Sequence, residues 1–383
     1  MANDKNFKIK NGLLAGRYLQ SAGAETAGSE AYDLAGASYD SVSKDVGSQD
    51  TSIRNLMFNN DGTKMYVAGT TNDRIYQYSL STPFDLSTAS YDSVNFSVSG
   101  QDTTPRGLAF NDDGTKMYMV GGSSGALYQY SLSTAYDLST ASYNSVSLDV
   151  SGQDSSLFAI AFNGDGTKMY ISGSGNDSVY QYSLSTAYDL STASYDSISL
   201  DVSGQDTAPY AMAFNNDGTK LYVGGVSSDS VHQYSLSTAF DLSTASYDSV
   251  SFDVSGQVNT LVGLAFNNDG TKMFLSSLNA GNFIYQYSTV AYTQALDLST
   301  GSYFQFTPSG AATVSFTNAP ASGKAIGFSV EINGDGSAIT WPSSVKWDSG
   351  VAPTATASKE LYAFVTADGG TTYYGRKAVE DLA

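Results

Sequence analysis

Four aspartates return in one setting, Ser-Gly-Gln-Asp or Gly-Ser-Gln-Asp, at Asp50, Asp102, Asp154 and Asp206. A recurring carboxylate can be a sugar or metal ligand, or a turn device used once per repeat. Glycoside hydrolysis needs two carboxyl groups in unlike environments, one on each side of a bond, and there is no glutamate between residues 31 and 290. Four copies of one aspartate suit turn geometry better than a specialised acid. No catalytic residue is expected, and the chain reads as a non-enzyme. A second set of carboxylates, in Asp-Gly-Thr-Lys at Asp61, Asp113, Asp165, Asp217 and Asp269, invites calcium. A helix-loop-helix calcium loop needs alternating oxygen ligands over about twelve residues and a distal glutamate. A hairpin turn in which glycine supplies the positive φ accounts for every position instead. We expect neither metal nor cofactor.

The remaining chemistry is sparse. There is no cysteine and a single histidine, His232, so thiolate sites, His-based zinc sites and Ser-His-Asp triads lose most of their raw material. His232 stands where the other copies of its motif carry tyrosine, and it reads as a packing replacement. The position that stands out changes from copy to copy: Arg54, Arg106, Phe158, Tyr210, Val262. Arginine and aromatic residues make strong binding anchors. These five, with Asp50, Asp102, Asp154 and Asp206 beside them, are the candidate ligand-binding residues.

The elements that must position them follow from self-similarity. Asp-Gly-Thr-Lys recurs every 52 residues through five copies, and Tyr-(Asp/Asn)-Ser-(Val/Ile) keeps the same period from Tyr39 to Tyr247. Tyr-Gln-Tyr-Ser begins at Tyr76, Tyr128, Tyr180 and Tyr285, with His232 starting the fourth copy, and the last step is one residue longer, near Asn279 to Asn282. Each unit holds four strand signals, here A to D, typified by residues 107–110, Lys116-Met-Tyr-Met-Val, Ala126-Leu-Tyr-Gln-Tyr-Ser and Tyr143-Asn-Ser-Val-Ser-Leu-Asp-Val. Four antiparallel strands at this period predict the blades of a β-propeller. Small residues around the centre of strand A fit blades crowding a central axis. The phenylalanine at 58, 110, 162, 214 and 266 fits the space between sheets.

The series opens on a lone D-type strand, residues 38–46, and closes on a C strand, Phe283 to Ser288. Pairing these two predicts a closed five-bladed ring over residues 31–290. The rival is completion of the last blade by Tyr303-Phe-Gln-Phe, which lacks the repeat motif. In a propeller the D–A and B–C loops share one face, and these are the loops that differ between copies. Ligand sites favour loops on a rigid scaffold. Residues 1–30 read as an arm and linker in which Phe7-Lys-Ile-Lys is a strand candidate. Residues 291–383 alternate as strands and predict a small β-sandwich-like domain with both tryptophans, Trp341 and Trp347.

Lysine and arginine total 18 against 37 acidic residues, a formal charge of −19. Such a surface repels phosphate backbones and anionic bilayers. No apolar run is long enough to span a bilayer, and the first residues show no secretory signal. Nucleic acid and membrane insertion are therefore not expected.

The unit Phe-Asn-Asn-Asp-Gly-Thr-Lys, with Tyr-Gln-Tyr-Ser-Leu-Ser-Thr-Ala-Tyr-Asp-Leu-Ser-Thr, resembles repeats of marine bacterial and phage propeller proteins. The start, Asn6-Phe-Lys-Ile-Lys-Asn-Gly-Leu, and the end, with Ile339-Thr-Trp-Pro-Ser-Ser-Val-Lys-Trp and Phe364-Val-Thr-Ala-Asp-Gly-Gly-Thr-Thr-Tyr-Tyr-Gly, resemble bacteriophage virion and tail-fibre proteins. The resemblance implies a surface protein of the virion, of tail-fibre or adhesin type and trimeric, assembled in the host cytoplasm with other virion proteins. Its variable propeller face would meet host-surface glycan or an outer-membrane protein. The alternatives are a capsid-decoration or tail-assembly protein that touches only virion subunits, and a glycan-degrading enzyme.

Overall fold

The computed structural model describes residues 31–278, 281–289, 292–308, 312–334 and 339–379. The chain divides between Ala291 and Tyr292 into two compact units. The arm expected over residues 1–30, with its Phe7-Lys-Ile-Lys strand, lies outside the described residues.

The first unit is a ring of five four-stranded antiparallel sheets. Blade 1 runs A Ile53–Phe58, B Lys64–Gly69, C Arg74–Leu80 and D Ala89–Ser97. The A strands of blades 2 to 5 are Pro105–Phe110, Leu157–Phe162, Ala211–Phe214 and Leu261–Phe266. Blade 5 takes its D strand, Ser38–Asp45, from the start of the chain, and that strand pairs with Phe283–Ser288 as the repeat pattern predicts. Tyr303–Phe306 lies in the second unit, parallel to Ile326–Asn333. The strand A phenylalanines wedge between blades. Phe110, Phe162, Phe214 and Phe266 each sit 4.5–4.7 Å from the strand B tyrosine of the preceding blade, and Phe58 lies 4.5 Å from Phe274.

Two recurring motifs of the repeat turn out to be one joint. In Tyr-Asp-Ser-Val of blade 1, Ser93 takes a left-handed φ of 61° and the register with strand C slips there. The bulge turns Asp92 inward, where its Oδ2 accepts from Gln77 Nε2 and Ser79 Oγ, each at 2.9 Å, with Lys64 Nζ at 3.5 Å. Gln77 is the glutamine of Tyr-Gln-Tyr-Ser, and its carboxamide oxygen accepts the Leu138 N–H of the next blade at 2.9 Å. The same bond runs from Gln129 to Leu190, Gln181 to Leu242, Gln233 to Leu34 and Gln286 to Leu86. It therefore crosses every blade boundary, including both that involve the N-terminal segment. Each receiving leucine is buried in a short 3-10 turn capped by an aspartate, as Asp137 caps Leu138–Thr140. Blade 2 departs from the pattern: Asn144 replaces the aspartate, and Lys116 instead reaches the Tyr188 carbonyl at 2.9 Å.

The second unit packs a three-stranded sheet (Tyr292–Asp297, Ala312–Thr317, Ile339–Thr340) and a five-stranded sheet around one core. The larger sheet runs Tyr303–Phe306, Ile326–Asn333, Lys359–Thr366, Tyr373–Val379, Val345–Trp347 in spatial order. Trp341 and Trp347 meet at 5.5 Å, and Trp341 lies 4.9 Å from Tyr362 and 5.0 Å from Phe364. Several neighbours are parallel, including Tyr292–Asp297 with Ala312–Thr317, which a reading as successive hairpins does not anticipate. The Asp368-Gly-Gly turn does join an antiparallel pair, with Gly369 and Gly370 at φ of 77° and 82°.

Replacing Gln181 with alanine strands the buried Leu242 N–H and removes a donor from Asp196. An orphaned buried donor costs about 1–3 kcal/mol, so Q181A is expected to lower the urea midpoint clearly. N144D, which adds only a part-exposed ion pair with Lys116, is expected to change stability by no more than about 1 kcal/mol.

Candidate functional site

The D–A ends of the A strands face the mouth of the ring, and the fold prepares one position there in each blade. In blades 1, 2, 3 and 5 the register with strand B slips at that point, leaving Arg54, Arg106 with Gly107, Phe158 and Val262 in bulges. Tyr210 immediately precedes its strand A. A bulge re-aims its side chain out of the ladder, so the five residues read from sequence as blade-specific anchors are those turned away from regular pairing.

The structure brings Arg106, Phe158 and Tyr210 into contact and sets Arg54 within electrostatic reach of Arg106 and Tyr210. The Arg106 guanidinium carbon lies 3.9 Å above the Phe158 ring, and Phe158 stacks on Tyr210 with centroids 3.4 Å apart and planes 11° apart. Arg106 Nη1 donates to the Leu157 carbonyl at 2.8 Å. Two glycines permit this packing. A Cβ on Gly107 would stand 2.6 Å from the Phe158 carbonyl oxygen, and one on Gly122 would overlap the Arg106 guanidinium. Val262 is 2% exposed and offers no surface to a ligand.

Arg54 and Arg106 are the charged members of the mouth. Burial lowers the pKa of both, and for Arg106 the neighbouring charge of Arg54 adds to this; Tyr210 acts in the opposite sense on each. The Nε of each is buried with no hydrogen-bond acceptor in the protein. Two part-buried like charges with donors to spare form a site that gains from an anion. A guanidinium presents a planar fork matched to carboxylate and phosphate, and half-buried Tyr210 supplies an aromatic face beside it, backed by Phe158, which is buried between Tyr210 and Arg106.

The four aspartates named with them have a different task. Asp50, Asp102, Asp154 and Asp206 are 1–4% exposed. Asp50 Oδ1 accepts the N–H groups of Ser52 (2.9 Å) and Thr71 (3.1 Å), and Oδ2 accepts that of Asn72 (3.1 Å). Asp102 and Asp154 make the matching set. Each carboxylate thus clips the D–A loop to the B–C loop of its own blade, which corrects their reading as ligand contacts: they hold the rim. Blade 5 has buried Val258 at this place, and its B–C loop is the one that carries the extra residue. The Asp-Gly-Thr-Lys turns are likewise self-contained, with Asp61 Oδ1 accepting both the N–H (2.9 Å) and the hydroxyl (2.5 Å) of Thr63.

His232 occupies the place of Tyr76 in blade 1, whose hydroxyl lies 3.3 Å from Asp50 Oδ2. Ser228 Oγ donates to Asp206 Oδ2 at 2.7 Å and lies 3.0 Å from His232 Nε2. Since the serine proton is committed to Asp206, Nε2 is the donor to Ser228, and His232 is no base to that hydroxyl. His232 Nδ1 is buried without a partner.

Burial lowers the His232 pKa, so the unfolded chain binds a proton more readily than the folded one. The associated stability is present above the ordinary imidazole value of about 6.5 and is lost as pH falls from there towards the folded value. H232Y, which restores the residue of the other blades, is expected to flatten the stability profile between pH 7 and pH 5. A denaturation series over that window checks it; an unchanged slope would exclude His232 as the source.

The family described as "Lactonase, 7-bladed beta-propeller" matches residues 48–251. No curated protein matches the chain. Among solved structures, a functionally unknown protein from Desulfotomaculum acetoxidans is 12% identical over 64% of this chain and 75% of its own, with a TM-score of 0.38. A candidate 6-phosphogluconolactonase from Bacteroides uniformis is 12% identical over 61% of this chain and 65% of its own, at 0.41. Its counterpart from Bacteroides fragilis is 15% identical over 53% and 55%, at 0.38. The family match overturns the expectation of a chain without enzymatic activity, because the family is named for lactonases. The chain belongs to the lactonase family of β-propellers, and its described residues build the ring from five blades.

Proposed function

We propose that the chain recognises an acidic sugar unit at the Arg54–Arg106 mouth. The observation that carries this reading is the pairing of two part-buried guanidinium groups with a stacked aromatic floor. A carboxylate or phosphate engages the arginine forks while a sugar ring lies against an aromatic face. Family membership extends the reading to the cyclic ester of such a sugar acid. Guanidinium donors near a lactone carbonyl stabilise the negative charge that develops on its oxygen during ring opening.

A second setting is supported by the concentration of sequence variation in the D–A and B–C loops and by the phage-like end segments. In it the same mouth holds an acidic sugar of a host-surface glycan, and the chain is a virion attachment protein of tail-fibre or adhesin type, as a trimer. The runner-up is a decoration or tail-assembly protein whose propeller contacts other virion subunits.

Calorimetry with oligogalacturonate and with a neutral oligosaccharide of equal length tests recognition. Wild type is expected to prefer the acidic ligand, and R54A or R106A to weaken it about tenfold or more, as loss of one charge-assisted partner implies. Equal affinity for both oligosaccharides would end the reading. A pH-stat assay with D-glucaro-1,4-lactone, which keeps a free carboxylate, tests ring opening: acceleration by wild type that R54A/R106A abolishes is the expected result. Adsorption of labelled protein to host cells, lost in the same double variant, tests attachment.

A further inference from the structure

The opposite end of the ring's axis bears a cavity of about 270 Å³. Its walls include Leu56, Ile160 and Met212 and the strand A phenylalanines, and its rim includes the residue just before Asp-Gly-Thr-Lys in blades 1, 2, 3 and 5. That position reads Asn60, Asp112, Gly164, Asn216, Asn268. Three asparagines lace the rim from blade to blade: Asn216 Nδ2 donates to the Asn268 carbonyl, Asn268 Nδ2 to that of Asn60, and Asn60 Nδ2 to that of Asp112 at 2.6 Å. The lacing stops at Asp112, whose side chain has no N–H to give, and Gly164 has no side chain at all. The asparagine lace is therefore absent between blades 2 and 4; the Asp112 carboxylate there lies beside the Tyr188 hydroxyl of blade 3, and a side chain at Gly164 would enter open space. Tyr188 lines the same side, and its pKa is raised, by burial first and then by Asp112.

Among the described residues lining this cavity, Asp112 bears the only formal charge. One carboxylate at the rim of a cavity that carries both aromatic rings and asparagine and backbone oxygens is a pairing that suits an organic ammonium group: ring and carbonyl oxygen alike attract the diffuse cation, and the acid supplies its counter-charge. We infer that the cavity at the Asp-Gly-Thr-Lys end of the ring is a second ligand site, which takes a compact organic ammonium ion with Asp112 as its counter-ion and Gly164 as the gap that admits it. The site is separate from the arginine mouth in place, in charge and in ligand class, and it does not rest on the function proposed there.

Calorimetry on the full chain with choline chloride and with 3,3-dimethyl-1-butanol, its uncharged analogue of the same shape, tests it. Choline is expected to bind one equivalent and its analogue at least about tenfold more weakly. D112N should weaken choline by a similar factor, and G164N should do so by closing the rim. Both variants introduce the residue that blades 1, 4 and 5 already carry at this position, so folding is not at issue. R54A/R106A should leave choline binding unchanged, which keeps this outcome apart from that of the acidic-sugar reading. Undiminished choline binding by D112N, equal binding of the two probes, or no choline binding at millimolar concentration would each overturn the inference.

Discussion

Five buried glutamines hold this ring. Each takes the N–H of a leucine in the following blade, and those of blades 1, 3, 4 and 5 at the same time donate to an aspartate within their own. The remaining repeat features serve that bridge. The left-handed serine turns the aspartate inward, and the capped 3-10 turn presents the leucine N–H. A polar bond inside an apolar seam has few substitutes, because an unpaired buried amide costs more than a made one gains. The bridge also fixes direction, since blade n always grips blade n+1, and a uniform handed grip closes only when the last blade meets the first. Gln233 to Leu34 and Gln286 to Leu86 complete that circuit.

Much of this was legible in the sequence, and the limit of legibility was distance along the chain. Strands, turns and closure depend on local period and on a strand motif recurring at residue 39, so a single sequence displays them. The glutamine bridge joins residues 61 apart, or about 200 apart at the seams, and no local pattern announces such a contact. The motif Tyr-Asp-Ser-Val was visible as a marker while its bulge and inward aspartate were not. Identity across copies also misled in one respect. The recurring Asp50 set stood beside the variable anchors and was grouped with them, yet its sameness is what a loop clip requires. Conversely, Asp112 and Gly164 are departures inside the most uniform turn of the repeat, and comparison of whole loops passes over them.

The two ends of the axis apply one scaffold in opposite ways. At one end bulges in strand A of four blades, and the residue before strand A in blade 4, turn side chains out of the ladder, and variation among five positions sets two arginines beside two aromatic rings. At the other, an asparagine lace leaves little freedom, and a site arises where two blades drop out of it. The apolar ring of Leu56, Leu108, Ile160, Met212 and Leu264, each 2–5% exposed, lies along strand A between these ends. Opposite charge at the two ends arises in a propeller whose residues 29–291 hold 9 lysine and arginine and 27 aspartate and glutamate, so the cationic mouth stands out locally against a strongly acidic whole.

The closing seam has a mechanical consequence. Ser38, where the first strand begins, is paired with Ser288, where the last strand of the ring ends. Once the Tyr32 and Leu34 contacts ahead of this strand give way, tension transmitted along the chain loads one end of an antiparallel ladder and opens it bond by bond, like a zipper, and does not shear all its bonds at once. The other four blades each draw all four strands from one continuous stretch of chain and carry none of that load at first. Under pull the ring is thus built to yield at a known place, with the Ser38–Asp45 strand peeling from blade 5 before the other four blades are disrupted.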